Sequence, residues 1–210
     1  MKTRLVFLGP PGAGKGTQAL IMAGKFSFAR IATGDILREA IANESELGLK
    51  AKEFMRSGLL VPDEVVNEIL REKLSSTDNG FIIDGYPRTI EQADFLQKIA
   101  SIEMVIYFDA PEELLVQRIV NRRVCPRCNA VYNSVENPPK VENRCDNDGT
   151  ELVHRIDDVE DVTRERLKTF WQKTAPLVDY YFSRDLLAKI SAGKQLEEVT
   201  AEIEIAIGAI

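Results

Sequence analysis

The sequence predicts an α/β fold: a parallel sheet flanked by helices. Three short apolar runs, at residues 3–8, 80–84 and 104–109, read as strands buried on both faces. Between and after them lie stretches with apolar residues at helical spacing. The first run leads into a glycine-rich loop, Gly9-Pro10-Pro11-Gly12-Ala13-Gly14-Lys15-Gly16-Thr17, and residues 18–25 after it are helix-forming, so the order is strand, loop, helix.

Each part of that loop has a physical purpose. Glycines let the backbone turn tightly and bring its N–H groups to a phosphate without Cβ atoms in the way. The helix N-terminus adds partial positive charge and Lys15 a full one. The strict pattern G-x-x-x-x-G-K-[ST] fails only at its last place, where Gly16 precedes Thr17. The stretch reads as a phosphate-binding loop.

Size and composition narrow the classes. A chain of 210 residues suits one α/β domain with small insertions. Its 44% hydrophobic and 29% charged residues are an ordinary globular balance. A net charge of −6 argues against broad nucleic-acid or membrane binding, which needs a basic surface. No apolar run reaches membrane-spanning length, and the run after Lys2 and Arg4 is too short for an export signal. The expected location is therefore cytoplasmic. Three cysteines then point to metal or free thiols, not disulfides.

Further along, residues 31–38 read as a short strand, a turn and a helix start, with Asp35 as its cap and Thr33 and Arg38 able to hold a polar ligand. A helix over 47–57 is stopped by Gly58. Pro62 opens another, with Asp63 and Glu64 in its first turn and Val65, Val66, Ile69, Leu70 and Leu74 on one apolar face. The second strand ends in Asp84, followed by Gly85-Tyr86-Pro87-Arg88. Ligands of parallel sheets lie beyond the strands' carboxyl ends, so Asp84 is expected near the phosphate loop, orienting Mg²⁺ directly or through water. Arg88 suits a fixed guanidinium fork on a phosphate, and Gln92 either reads a base edge or faces water. After the third strand, Pro111, Glu112 and Glu113 open a helix with Leu114, Leu115 and Ile119 toward the core. Arg118 and Arg122, four apart, are expected on one face of it.

Composition then breaks. Cys125-x₂-Cys128 and Cys145-x₂-Asp148 are two knuckles 16 residues apart in a polar stretch. This is close to zinc-ribbon spacing, with Asp148 as an adequate fourth ligand. So small and polar a segment cannot bury a core, and a metal crosslink would order it. Asp146 breaks the spacing, and the single histidine, His154, lies just beyond four ligands already assigned. A helix over 159–171 follows, with Leu167, Phe170 and Trp171 as packing residues, then a strand over 186–191 and a closing helix over 196–207.

With these motifs placed, the chain resembles the adenylate kinases of the long form with a zinc-binding lid, nearly collinearly over residues 2–199. The resemblance implies reversible transfer from Mg-ATP to AMP, giving two ADP, with Mg²⁺ and a structural Zn²⁺ as cofactors. It divides the chain into a P-loop core (1–31, 62–120 and 159–210), an AMP-binding helical insert (32–61) and a zinc-ribbon-like lid (121–158). By its implication Gly12, Ala13, Gly14, Lys15, Gly16 and Thr17 hold ATP phosphates, Arg118 stacks on the ATP base, and Val131, Tyr132 and Lys194 also touch ATP. Thr33, Arg38, Leu59, Leu60, Val61, Gly85, Tyr86, Pro87, Arg88 and Gln92 surround AMP. Arg88, Arg122, Arg155 and Arg166 grip the transferring phosphates, while Asp157 and Asp158 engage the lid arginines on closure.

Two departures border the AMP pocket: Ala32 where many relatives have serine, and the unusual stretch 26–30. Both bear on monophosphate selectivity. The nearest rival is a UMP/CMP-type kinase. A nucleotide-gated switch protein would want an N-K-x-D motif, and a zinc-ribbon nucleic-acid binder would want basic knuckles, whereas Glu136, Glu142, Asp146 and Asp148 make this stretch acidic. The expected partners are ATP, AMP and ADP, with no nucleic acid and no membrane, and the expected state is a monomer.

Overall fold

The three apolar runs form the centre of one sheet in the computed structural model, which describes residues 1–77 and 79–210. Strands β1 (Arg4–Leu8), β2 (Ala29–Ala32), β3 (Phe81–Asp84), β4 (Met104–Asp109) and β7 (Leu187–Ser191) lie in the order β2-β3-β1-β4-β7, every neighbouring pair parallel. Alternation along β1 separates two cores. Leu5 and Phe7 join Ile82, Ile106 and Phe108 on one face; Val6 and Leu8 join Ile83, Val105 and Tyr107 on the other. Burial on both faces is why the runs carry no polar alternation.

Helices α1 (Lys15–Phe26), α6 (Glu112–Val120) and α9 (Leu196–Ile207) cover the first face through Ala19, Met22, Leu115, Val199 and Ile203. The second face carries α2 (Thr33–Ala42), α3 (Glu46–Arg56), α4 (Asp63–Ser75), α5 (Ile90–Ile99) and α8 (Pro176–Phe182). Helix α7 (Glu160–Thr169) contributes Leu167 to the first core. A separate antiparallel pair, β5 (Arg122–Val124) and β6 (Val131–Asn133), holds the cysteine-rich stretch.

Several expectations change here. Helix α1 begins at Lys15, not at 18: Gly14, with φ of 85°, turns the chain so that Lys15, Gly16 and Thr17 are already its first turn. Helix α6 ends at Val120, so Arg122 opens β5 and shares no helix face with Arg118. Leu114 is only half-buried: it packs against the first core, as expected, and also lines the cleft described below, while Leu115 and Ile119 are fully buried. The helix expected over 159–171 widens at Phe170–Thr174 into a π-turn, in which the Ala175 N–H donates to the Phe170 carbonyl at 2.8 Å. Leu167 and Phe170 pack inside, but Trp171 is 43% exposed.

Helices α2 and α3 meet through a glycine. A Cβ on Gly48 would sit 2.1 Å from the Ala40 carbonyl oxygen, so only glycine allows this approach. Gly24 is the contrasting case, mid-helix in α1 with nothing within 4 Å of a Cβ built there. Denaturant unfolding checks the pair. Gly24→Ala is expected to add about 0.5–1 kcal/mol through helix propensity, and Gly48→Ala to remove roughly 1–3 kcal/mol by forcing the helices apart. A Gly48→Ala variant as stable as the parent contradicts the packing.

Candidate active site

The carboxyl ends of the central strands set the floor of the site. Phe7 and Ala32 both pair with Asp84, so the glycine loop leaving β1, the start of α2 leaving β2, and Asp84 meet at one edge. A cleft of about 720 Å³ opens there. Its loop side carries Gly12, Ala13, Gly14, Lys15, Gly16 and Thr17. Lys15 Nζ donates to the Gly9 and Pro10 carbonyls, each at 2.7 Å. Loss of hydration lowers its pKa to about 8 against the pull of Asp84, and Arg88, Arg166 and Arg122 push the same way as burial.

Gly16, where the loop departs from the strict pattern, has a spatial reason. A Cβ there would lie 3.3 Å from Asp84 Oδ2 and 3.7 Å from Arg30 Nη2, so a serine or threonine would crowd the acid. Asp84 and Thr17 thus offer hard oxygen donors at the mouth of the loop, a donor set that fits Mg²⁺.

A second, smaller cavity of about 60 Å³ lies under α2 and α3, lined by Thr33, Leu59, Val61 and Gln92 among others. The two cavities share Arg38, Leu60, Gly85, Arg88 and Arg166 on their walls. The Arg88 guanidinium is steadied by Nε donating to the Gly85 carbonyl at 2.7 Å, and Tyr86 and Pro87 line the large cleft beside it. Thr33 Oγ1 donates to the same carbonyl at 3.0 Å. Arg122, Arg155 and Arg166 line the large cleft. Arg118 reaches it with Nη1 on the Ala192 carbonyl (2.7 Å) and Nε on Glu136 (3.0 Å). Val131, Tyr132 and Lys194 complete the wall.

Carboxylates hold these cations apart. Asp158, fully buried, accepts from Arg122 Nε at 2.7 Å and from Arg166 Nη1 at 3.2 Å; it touches neither cavity and acts through the arginines. Asp157 lies 3.0 Å from Arg166 and 3.7 Å from Arg38. Asp35 is no helix cap: α2 starts two residues before it, and its oxygens meet Arg30 (2.6 Å), Arg38 (2.6 Å) and Arg155 (3.1 Å). Burial alone would raise that carboxyl; Arg38, Arg155 and Arg30 together hold it down at about 2. Gln92 does not face water, being 2% exposed with both ends of its amide bonded to protein. Sequence reasoning missed Arg30, which bridges Asp35 and, at 3.8 Å, Asp84; its only signal was the unusual stretch 26–30.

In the cysteine-rich stretch, ligand atoms of Cys125, Cys128, Cys145 and Asp148 lie within 4.8 Å of one another. Cys128 and Cys145 sulfurs are 3.5 Å apart, and Cys125 Sγ is 3.6 Å from Asp148. Three sulfurs and an oxygen at these separations suit a tetrahedral zinc site. The sulfurs also accept hydrogen bonds from the Cys128 N–H (3.5 Å), Asn147 (3.7 Å) and the Tyr132 hydroxyl (3.6 Å), the partners a thiolate wants. Asp146 and His154 stand outside: the first accepts from the Lys140 N–H, the second meets the Val120 carbonyl. The segment's own core is only Cys125, Tyr132, Cys145 and Leu152. Cys128→Ser, or a strong chelator, is therefore expected to lower the melting temperature more than the turnover rate. Identical melting curves with and without chelator contradict a structural metal.

The chain is similar to proteins of known class over nearly its whole length. A family model described as adenylate kinase matches residues 7–186. The adenylate kinase of Archaeoglobus fulgidus is 49% identical over 207 residues, covering 95% of both chains. That of Caldicellulosiruptor bescii is 45% identical, covering 98% of this chain and 99% of its own. That of Thermotoga neapolitana is 44% identical, covering 99% and 98%. A match of this extent, with the glycine loop and the converging arginines on one cleft, leaves one conclusion: the chain belongs to the adenylate kinase family.

Proposed function

We propose that the protein transfers the terminal phosphoryl group of Mg-ATP reversibly to AMP, giving two ADP. One observation carries this reading: two cavities of different size share a wall of arginines, Arg38, Arg88 and Arg166. Two anionic ligands seated in them would meet across that wall. Residues 1–31, 62–120 and 159–210 are the core, 32–61 the AMP-binding insert and 121–158 the lid.

The attacking atom is a phosphate oxygen of AMP, already ionised at neutral pH because its second pKa is about 6. No general base is needed, which agrees with His154 sitting at the Val120 carbonyl instead of in the cleft. The difficulty is to align two polyanions and neutralise the charge spread over the transferring group. The loop N–H groups from Gly12 to Thr17 and Lys15 would hold the ATP phosphates, with Arg118, Val131, Tyr132 and the Lys194 backbone around its base. Thr33, Gln92 and the backbone of Leu59 to Val61 would hold the AMP base, and Arg38 and Arg88 its phosphate. Arg122, Arg155 and Arg166 would grip the group in flight, oriented by Asp157 and Asp158. Asp84 would hold magnesium, directly or through water, and the ion would supply charge neutralisation on the phosphate oxygens. Removing one such donor from a dry site lowers the rate by about two to three decades.

Zinc in the lid is read as structural, since a site with four protein ligands leaves no position for substrate. Closure of that lid excludes water and so prevents hydrolysis of ATP; adenylate kinase's lid is a standard instance of such gating. No helix among the described residues is long and apolar enough to cross a membrane. We read the enzyme as cytoplasmic and active as a single copy, because one chain supplies every cation named.

A coupled ADP-formation assay with Mg-ATP and AMP, CMP, UMP or GMP in turn tests the reaction. Turnover is expected with AMP, with the other monophosphates at least about tenfold slower. Preference for a pyrimidine moves the function to a sister kinase, and no turnover despite tight ATP binding removes the catalytic reading.

Lys15 gives a pH test. Its folded-state pKa of about 8 lies below the ordinary 10.5, so its charge opposes folding fully below about pH 8 and less as pH rises toward 10.5. Bound phosphates favour the charged amine. Binding of ATP is therefore expected to take up a proton near pH 9 and none through Lys15 near pH 6.5, read by calorimetry in buffers of different ionisation enthalpy. Uptake that persists in Lys15→Met overturns the assignment.

A further inference from the structure

Gln92 is held in one orientation by partners that leave no choice. Its Oε1 accepts from the Arg88 backbone N–H at 2.7 Å, and its Nε2 donates to Asp63 Oδ1, also at 2.7 Å. A backbone N–H can only donate, and a carboxylate can only accept. Turning the amide over would set its carbonyl against the carboxylate and its amino group against the N–H. Asp63 is itself fixed in the first turn of α4, with the Thr89 hydroxyl 3.4 Å from its other oxygen. Gln92 lines the smaller cavity and Asp63 lines neither.

After these two bonds the amide has one N–H and one carbonyl lone pair left, and the cavity is where it can use them. Their order along a bound base edge is set by the lock. A 6-aminopurine offers a ring acceptor beside an exocyclic donor. Its 6-oxo counterpart offers a ring donor beside an exocyclic acceptor at the same two positions. A freely turning amide would satisfy either base; a locked one satisfies only one of them.

We propose that Asp63 is a specificity-determining positioning residue: by holding Gln92 Nε2 it makes the smaller cavity select a 6-amino over a 6-oxo purine monophosphate. This rests on reading that cavity as the monophosphate base pocket. The selectivity comes from an inverted pair left unsatisfied in a buried site, which hydrogen-bonding sites reject strongly.

The experiment compares kcat/KM for AMP and IMP, with Mg-ATP, in the parent, Asp63→Asn, Gln92→Leu and the double variant. Asparagine keeps the shape but can present either a donor or an acceptor to Gln92, so one of the two locks is lifted and only the Arg88 N–H still opposes turning of the amide. Asp63→Asn is expected to reduce the AMP/IMP ratio roughly tenfold, the equivalent of one charge-assisted hydrogen bond, with kcat for AMP little changed. In the Gln92→Leu background the same substitution is expected to leave the ratio where it was. If Asp63→Asn lowers both substrates equally, or acts as strongly without Gln92, its role is only structural and the proposal is wrong. If the parent itself does not distinguish AMP from IMP, the base-pocket reading fails first and takes the proposal with it.

Discussion

Like charges crowded into a poorly hydrated cleft are the constraint on which the rest of this structure depends. Lys15, Arg30, Arg38, Arg88, Arg122, Arg155 and Arg166 crowd around four carboxylates, Asp35, Asp84, Asp157 and Asp158. Burial and mutual repulsion lower Arg88 to about 10 and Arg155 to about 9, although a guanidinium keeps its proton at neutral pH. The arrangement persists because three of these carboxylates, Asp35, Asp157 and Asp158, each bridge arginines from different elements. Asp35 ties β2, α2 and the chain that follows β5 and β6; Asp158 ties β5 to α7. The surplus of positive charge is a preorganised counterpart for polyphosphates, and it stresses the unliganded protein.

Features carried by neighbouring residues were legible in the sequence. Buried strands announce themselves by unbroken apolar runs, the loop by its glycines and lysine, the cluster of three cysteines and Asp148 by two knuckles. What escaped was decided by contacts between distant segments. Arg118 and Arg122 have helical spacing, but Asn121 ends α6 between them, and strand pairing with β6 claims Arg122. Asp35 has the composition of a cap, yet Arg155, 120 positions away, helps decide its role. Gln92 had two open readings because its partner, Asp63, belongs to another helix. Arg30 sits on a strand and carries no motif.

The departure of the loop from its strict pattern follows from the same crowding. Without a Cβ on Gly16, Asp84 stands close against the start of α1, in the company of Arg30. Sequence pattern alone marks Gly16 as a defect. The geometry makes it the place where an acid, an arginine and the first turn of α1 approach one another.

The π-turn at Phe170–Thr174 ties two distant needs to a single length of chain. Before it, α7 aims Arg166 into the cleft; after it, α8 buries Leu177 and Tyr181. Within it, the Thr174 hydroxyl donates to the Arg88 carbonyl at 2.8 Å, and the following Pro176 brings no N–H that needs an acceptor. Each α-helical residue advances the rod by about 100°. Deleting one residue here would swing the two halves out of phase by that angle, leaving either the arginine or the tyrosine misdirected. The segment should therefore resist insertions and deletions that a surface helix would absorb, even though its most conspicuous side chain, Trp171, is half in water.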